Sequence, residues 1–226
     1  MQWIHNYQLF LFDFDGLLVN TEEIHYMAYQ RMCAQRGVAF DIGFENYCKI
    51  AHYSSDGLRE QIYALYPKLQ VQEPSWAVLY SEKKRAIVDL INEGKVQMMP
   101  GVERMLAALQ DASISRCVVT HSPIELIQAV RSQHRIFDTI PVWITREQYA
   151  KPKPDSECYI KAVNLLAKPH DRVVGFEDTP RGLRALLGTR AKPVLICEAD
   201  YPEIPDFIAA GVAHYPTFSA IPDEHL

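Results

Sequence analysis

The 226-residue chain lacks the features that mark membrane, nucleic-acid-binding and secreted proteins. It has no run of about 18 consecutive apolar residues, so we expect no membrane-spanning helix and no membrane partner. Its basic residues form no stripe and its formal net charge is −5, which argues against nucleic acid as a partner. The first residues show no basic segment followed by a long apolar one, so we expect no secretory signal.

The cysteines form no disulfide or zinc pattern. There are five, an odd number, and no pair has Cys-x-x-Cys spacing. They are Cys33, Cys48, Cys117, Cys158 and Cys197. This pattern favours reduced, buried thiols, so we expect a reducing compartment and a cytoplasmic location.

The pattern of apolar residues changes along the chain and predicts two domains. Residues 22 to 96 have helical periodicity and few strand-like runs. From residue 100 onward, short apolar runs alternate with helix-length segments, which is typical of a parallel sheet with crossover helices. We predict an α/β core with a doubly wound, Rossmann-like parallel sheet, residues 1–20 and 97–226. An all-helical cap domain, residues 21–96, is inserted after the first strand.

Polar residues follow the predicted strands of the core. A buried strand over residues 9–12 is followed by Asp13 and Asp15, and a later strand is followed by Glu177 and Asp178. The carboxyl ends of parallel strands open into the ligand crevice of such folds, so these side chains are expected to converge there. Taken alone, Asp-x-Asp-Gly also begins ordinary turns, and an acidic pair also favours the start of a helix.

Four carboxylates at one crevice repel each other unless a cation lies among them. Hard oxygen ligands suit Mg²⁺, which binds a few carboxylates together with a substrate phosphate. We therefore predict a magnesium site made by Asp13, Asp15, Glu177 and Asp178.

Four segments together resemble the signature motifs of the haloacid dehalogenase-like hydrolase superfamily, in its phosphatase and phosphomutase branch. The first is Asp-Phe-Asp-Gly at residues 13–16, with Asn-Thr-Glu at 20–22. The second is Val-Thr-His-Ser at 119–122, and the third is Lys-Pro-Lys-Pro-Asp at 151–155. The fourth is Gly-Phe-Glu-Asp-Thr-Pro-Arg-Gly at 175–182. The motifs occur in the order that the family has, and the resemblance covers nearly the whole chain.

The resemblance implies a role for each matching residue. Asp13 would be the nucleophile that forms an aspartyl-phosphate, and Asp15 the general acid and base. The backbone carbonyl of Asp15 would hold Mg²⁺ together with Asp13 and Asp178, and Glu177 would support the ion directly or through water. Thr120 and Lys151 would bind the phosphoryl group, although a lysine in a proline-rich turn is ordinarily a solvated surface residue. The remaining expected substrate-binding residues are His121, Ser122 and, in the cap, His25, for which a structural role is equally compatible with the sequence.

The resemblance leaves the reaction open among several activities. We expect a Mg²⁺-dependent phosphatase acting on a small phosphorylated metabolite, such as a sugar phosphate. A β-phosphoglucomutase-like phosphomutase is the alternative. It would need a second phosphate site, and the cap loop at residues 52–56 has no arginine until Arg59. The cap cations Lys83, Lys84 and Arg85 leave that site possible, although at least two of them fit a solvated helix face.

A non-catalytic protein that binds phosphorylated metabolites is a third hypothesis. The presence of both a nucleophile, Asp13, and its acid partner, Asp15, argues against it. For oligomeric state, we expect a monomer or a weak homodimer.

Overall fold

A computed structural model describes residues 1–53, 55–224 and 226. The chain divides into two compact units. One consists of Met1–Val19 and Met98–Leu226, and the other is Asn20–Gln97. In the described residues, no helix combines the length and the apolar composition that crossing a bilayer requires.

The larger unit is built on a six-stranded sheet. The strands are β1 (Leu9–Phe12), β2 (Ser115–Val119), β3 (Val142–Ile144), β4 (Val173–Glu177), β5 (Lys192–Ile196) and β6 (Ala213–Tyr215). Their spatial order is β3-β2-β1-β4-β5-β6, and every neighbouring pair is parallel. The strand order therefore reverses beside β1, as in a doubly wound fold, and the predicted fold class is confirmed.

The smaller unit contains only helices among its described elements. They are α1 (Thr21–Ala34), α2 (Phe44–Tyr53), α3 (Ser55–Leu65), α4 (Pro67–Gln72) and α5 (Trp76–Asn92). Its interior is rich in aromatic rings, and the Tyr29 ring stacks on Phe40 with a centroid distance of 5.9 Å. Burying these large rings stabilises the small helical unit.

Five further helices belong to the larger unit. They are α6 (Val102–Asp111), α7 (Ile124–Arg131), α8 (Glu157–Leu166), α9 (Pro180–Leu187) and α10 (Ile204–Ala209). Short 3-10 helices lie at Gln2–Asn6, Arg135–Thr139, Arg146–Gln148 and Phe218–Ala220.

Strand β1 is buried on both faces because all four of its side chains are apolar. Phe10 and Phe12 stack on Phe176 of β4, with centroid distances of 6.0 and 5.2 Å. Leu9 and Leu11 pack in the apolar cluster that includes residues of α8 and α9. This double burial fixes the position at which β1 ends and the polar segment begins.

Gly175 in β4 allows a helix to approach the sheet closely. A Cβ atom at this position would lie 2.4 Å from the Leu186 side chain of α9. The glycine therefore lets α9 pack closely against β4, which also fixes the position of the loop that joins them.

Candidate active site

The predicted polar residues of the core converge at the carboxyl edge of the sheet. Asp13 follows β1, Thr120 follows β2, and Glu177 ends β4, the strand beside β1. Each of these three side chains is buried. They lie where the strand order reverses, which is the usual ligand crevice of doubly wound sheets.

The turn after β1 holds Asp13 in line with the sheet. Its backbone N–H donates to the carbonyl of Phe176 at 3.0 Å, which continues the ladder of hydrogen bonds. The chain then turns at Gly16, whose φ of 78° lies in the left-handed region that favours glycine. Asp13 is thus fixed by backbone bonds before any ligand binds.

Lys153 is the buried cation of this site. Its Nζ lies 2.6 Å from Asp13 Oδ1 and 2.6 Å from Glu177 Oε1. It also donates to the Val119 carbonyl at 3.0 Å and to the Tyr159 hydroxyl at 3.2 Å. Four oxygens surround the ammonium, which is the kind of compensation that a buried charge needs.

The prediction placed Lys151 in this position, and the structure corrects it. The Lys151 side chain is 72% exposed, and its Nζ lies 3.7 Å from Asp155. Its backbone N–H donates to the Glu157 carboxylate at 2.8 Å, which holds this stretch of chain at the surface. Lys151 and Lys153 both precede a proline, so either lysine fits the motif. In the structure it is Lys153 that lies beside Asp13.

The contacts of Lys153 and Glu177 shift their proton affinities. Burial lowers the pKa of Lys153, but the charges of Asp13 and Glu177 outweigh it, so the pKa lies above its ordinary value. Burial also raises the pKa of Glu177, while Lys153 and a 2.5 Å hydrogen bond from the Tyr159 hydroxyl act against that rise. On balance the pKa of Glu177 lies above its ordinary value, because burial outweighs the charged ammonium of Lys153.

Asp13, Glu177 and Asp178 form an acidic cluster suited to a metal ion. Each offers a carboxylate oxygen, all within 4.8 Å of one another, and all three residues are buried. When all three carboxylates are ionised, Lys153 offsets one of the charges and two negative charges remain, which a divalent cation would balance. Hard oxygen donors of this kind fit Mg²⁺. The fourth predicted metal residue, Asp15, is assigned to the ion through its backbone carbonyl, and its carboxylate lies outside this group.

Gly182 at the start of α9 makes room for the cluster. A Cβ atom there would lie 1.9 Å from Glu177 Oε2. The helix begins with Thr179, whose hydroxyl accepts a hydrogen bond from the Gly182 N–H at 3.2 Å, and with Pro180 in its first turn. This start brings the glycine against the Glu177 carboxylate.

Asp15 lies in a separate network of hydroxyl groups. Its Oδ2 accepts hydrogen bonds from the Thr120 hydroxyl at 2.9 Å and from the Ser122 hydroxyl at 2.7 Å. The Ser122 backbone N–H donates to Thr120 Oγ1 at 2.9 Å. Three of the predicted residues are thus joined directly, and the Asp15 carboxylate is fixed beside the Thr120 hydroxyl.

His121 is held by Tyr149, a residue that the sequence analysis missed. Its Nδ1 lies 2.9 Å from the Tyr149 hydroxyl, and that hydroxyl donates to the Thr120 carbonyl at 2.9 Å. Tyr149 lies 28 residues from His121 in the chain. Only the packing of the sheet brings the two together.

The remaining predicted residues lie in the helical unit. His25 on α1 is bonded through Nδ1 to Lys83 Nζ of α5 at 2.8 Å. Burial, and secondarily Lys83, lowers the pKa of His25 to about 3. Lys83 is buried, whereas Lys84 and Arg85 are exposed. The cap loop at residues 52–56 lies outside the part of the chain whose side chains are described.

The geometry agrees with the comparison with known families. The profile of haloacid dehalogenase-like hydrolases matches residues 10–192. The chain belongs to the haloacid dehalogenase-like hydrolase family. The resemblance predicted from the four motifs and the prediction of a hydrolase are both confirmed.

Relatives of this haloacid dehalogenase-like hydrolase cover most of its length. Protein CbbY of Cereibacter sphaeroides is 30% identical over 187 residues, or 79% of each chain. The phosphorylated carbohydrates phosphatase of Thermotoga maritima is 28% identical over 183 residues, or 77% of this chain and 78% of its own. The crystal structure of CbbY from Rhodobacter sphaeroides in complex with phosphate has a TM-score of 0.72 and 24% identity, covering 94% and 95% of the two chains. That structural likeness shows a shared fold.

Proposed function

We propose that this hydrolase is a Mg²⁺-dependent phosphatase that acts on a small phosphorylated carbohydrate through an aspartyl-phosphate at Asp13. The observation that carries the proposal is the buried pair of Asp13 and Lys153 beside the Glu177 and Asp178 carboxylates. Relatives named for phosphorylated carbohydrates support the substrate class.

The acidic cluster of Asp13, Glu177 and Asp178 would hold the metal ion. When bound, Mg²⁺ supplies positive charge that offsets the repulsion between a carboxylate and a phosphate. The donor set supports this part of the proposal because all three ligands are hard oxygens.

Lys153 prepares Asp13 for attack. Its ammonium, 2.6 Å from Oδ1, holds the carboxylate in place, and it also stabilises negative charge on the phosphoryl group. The role that the resemblance assigned to Lys151 thus belongs to Lys153 in this proposal. An oxygen of Asp13 forms a bond to phosphorus while the bond from phosphorus to the alcohol oxygen of the substrate breaks.

Asp15 moves the protons of the two half-reactions. In its acid form it gives a proton to the departing alcohol oxygen, and as a carboxylate it then takes one from the water that attacks phosphorus. That attack breaks the bond between phosphorus and the Asp13 oxygen and releases inorganic phosphate. The Ser122 hydroxyl keeps the Asp15 carboxyl group in position, and the Thr120 hydroxyl, which donates its one hydrogen to Asp15 in this structure, turns it to a phosphoryl oxygen when substrate binds.

The test is a phosphate-release assay on a panel of sugar and polyol phosphates with Mg²⁺, in which isomerised products are followed as well. We expect phosphate release that requires Mg²⁺ and disappears in Asp13→Asn, while Lys151→Met serves as a surface control. Isomerisation without phosphate release would instead indicate a phosphomutase. Binding of the panel without any turnover would indicate the non-catalytic binder.

A further inference from the structure

The hydrogen bonds of Tyr149 determine which nitrogen of His121 carries a proton. The Tyr149 hydroxyl has one hydrogen, and the Thr120 carbonyl, 2.9 Å away, can only accept it. The contact between Tyr149 and His121 Nδ1, at 2.9 Å, is therefore made by a hydrogen on Nδ1. In the neutral ring, Nε2 then has a lone pair and no hydrogen.

The surroundings of His121 favour the neutral ring. Partial burial, followed by the charges of Arg146, Arg181 and Lys153, lowers the pKa of His121 to about 4. Arg146 is held beside Tyr149, the hydrogen-bond partner of His121. Its Nη1 donates to the Tyr149 carbonyl at 3.0 Å, and its guanidinium lies 5.6 Å from the centre of the Tyr149 ring. A second positive charge at His121 would be repelled by these cations.

His121 also lies beside Asp15 and Thr120 of the site. It directly follows Thr120, whose hydroxyl bonds Asp15, and its side chain is buried on one part and exposed on the rest. Within the described residues, Tyr149 is the one hydrogen-bond partner of its ring. A buried tyrosine thus holds one edge of the ring and leaves an acceptor nitrogen for a ligand.

We propose that Nε2 of His121 accepts a hydrogen bond from a hydroxyl group on the alcohol part of the substrate. A lone pair attracts a hydroxyl donor and repels the oxygen of a phosphate or carboxylate. His121 thereby selects phosphate esters of polyols and sugars over esters of simple alcohols. This inference rests on the proposed phosphatase function and narrows its substrate class.

Kinetics on a matched pair of esters test the selection. Glycerol 1-phosphate has hydroxyl groups on its alcohol part, and propyl phosphate has none. We expect kcat/KM of the wild-type protein to be about three to ten times higher for glycerol 1-phosphate, the range that one neutral hydrogen bond supplies. The ratio should fall towards one in His121→Phe and be partly kept in His121→Gln, whose amide oxygen can accept. An equal ratio in the wild type and in His121→Phe would overturn the inference.

A spectroscopic measurement tests the same point without turnover. In ¹⁵N-histidine spectra of the Asp13→Asn protein at pH 7, assigned with His121→Gln, we expect a protonated Nδ1 and an unprotonated Nε2. Glycerol 1-phosphate, and not propyl phosphate, should shift the Nε2 signal. A protonated Nε2, or the same response to both esters, would contradict the inference. The proposed function fails on a different result, the absence of phosphate release from every ester of the panel by the wild-type protein.

Discussion

Replacing Lys153 with methionine removes the buried cation of the site and leaves most of the side-chain volume. In the wild-type protein this ammonium lies 2.6 Å from both Asp13 Oδ1 and Glu177 Oε1, and the Lys153 side chain is only 6% exposed. The variant therefore leaves the buried carboxylates of Asp13 and Glu177 close together without the positive charge that lies between them in the wild-type protein. Lys151→Met is the matched control because it makes the same chemical change two residues away at the surface.

The expected loss of stability is large for Lys153 and small for Lys151. Removing one partner of a buried ion pair costs about 3–5 kcal/mol, whereas a change at an exposed pair stays within about 0.5 kcal/mol. In Lys153→Met the pKa of Glu177 rises further above its unfolded value, because burial acts on it without the opposing charge of the lysine. The folded state then binds more protons than the unfolded state, so the variant loses stability as the pH rises.

Urea unfolding in EDTA, at pH 5 and at pH 8, measures these differences. We expect the loss in free energy of unfolding of Lys153→Met, relative to the wild-type protein, to be larger at pH 8 than at pH 5. Its kcat/KM for phosphate release in Mg²⁺ should fall about 10²–10³-fold. Equal effects of the two substitutions on stability and on activity would refute the assignment of Lys153. A greater loss of activity in Lys151→Met than in Lys153→Met would assign the catalytic role to Lys151 instead.

Three further predictions concern other parts of the molecule. Gly182→Ala should push the Glu177 carboxylate aside and cost about 1–3 kcal/mol in urea unfolding, whereas Gly43→Ala, where a Cβ atom meets nothing within 4 Å, is a control expected to change little. Asp178→Asn should weaken Mg²⁺ binding at least tenfold in calorimetric titration, and an unchanged affinity would remove Asp178 from the metal site. The pKa of His25 is lowered to about 3 in the folded protein, whereas it is about 6.5 in the unfolded chain. The free energy of unfolding should therefore fall by about 1–2 kcal/mol from pH 7 to pH 5, because only the unfolded chain binds a proton at this histidine. His25→Gln should reduce that slope, and an unchanged slope would show that other groups cause it.

The parts of the fold with strong local signals were predictable from the sequence. Strand β1 is an uninterrupted apolar run, and α9 begins at a threonine and a proline, which are typical of a helix start. Helices α2 and α4 and strand β6 were not predicted. Strand β6 has three residues that are only half-buried, so packing against its neighbour determines it.

The residues of the candidate site that lie at strand ends were predictable from the sequence. Asp13, Thr120 and Glu177 lie at strand ends in the structure, as the alternation of strands and helices implied. The choice between the two lysines was wrong because local sequence does not tell which side chain turns inward. Tyr149 and Tyr159 were missed because each reaches the site through tertiary packing and belongs to none of the four motifs.

The central claim is that Asp13 becomes phosphorylated during turnover, and mass spectrometry tests it most directly. The protein would be quenched in acid during steady turnover of the best ester of the panel with Mg²⁺, then digested. We predict a peptide containing Asp13 that carries one phosphoryl group, and no such adduct and no phosphate release in Asp13→Asn. Phosphate release by Asp13→Asn at the wild-type rate would contradict the claim.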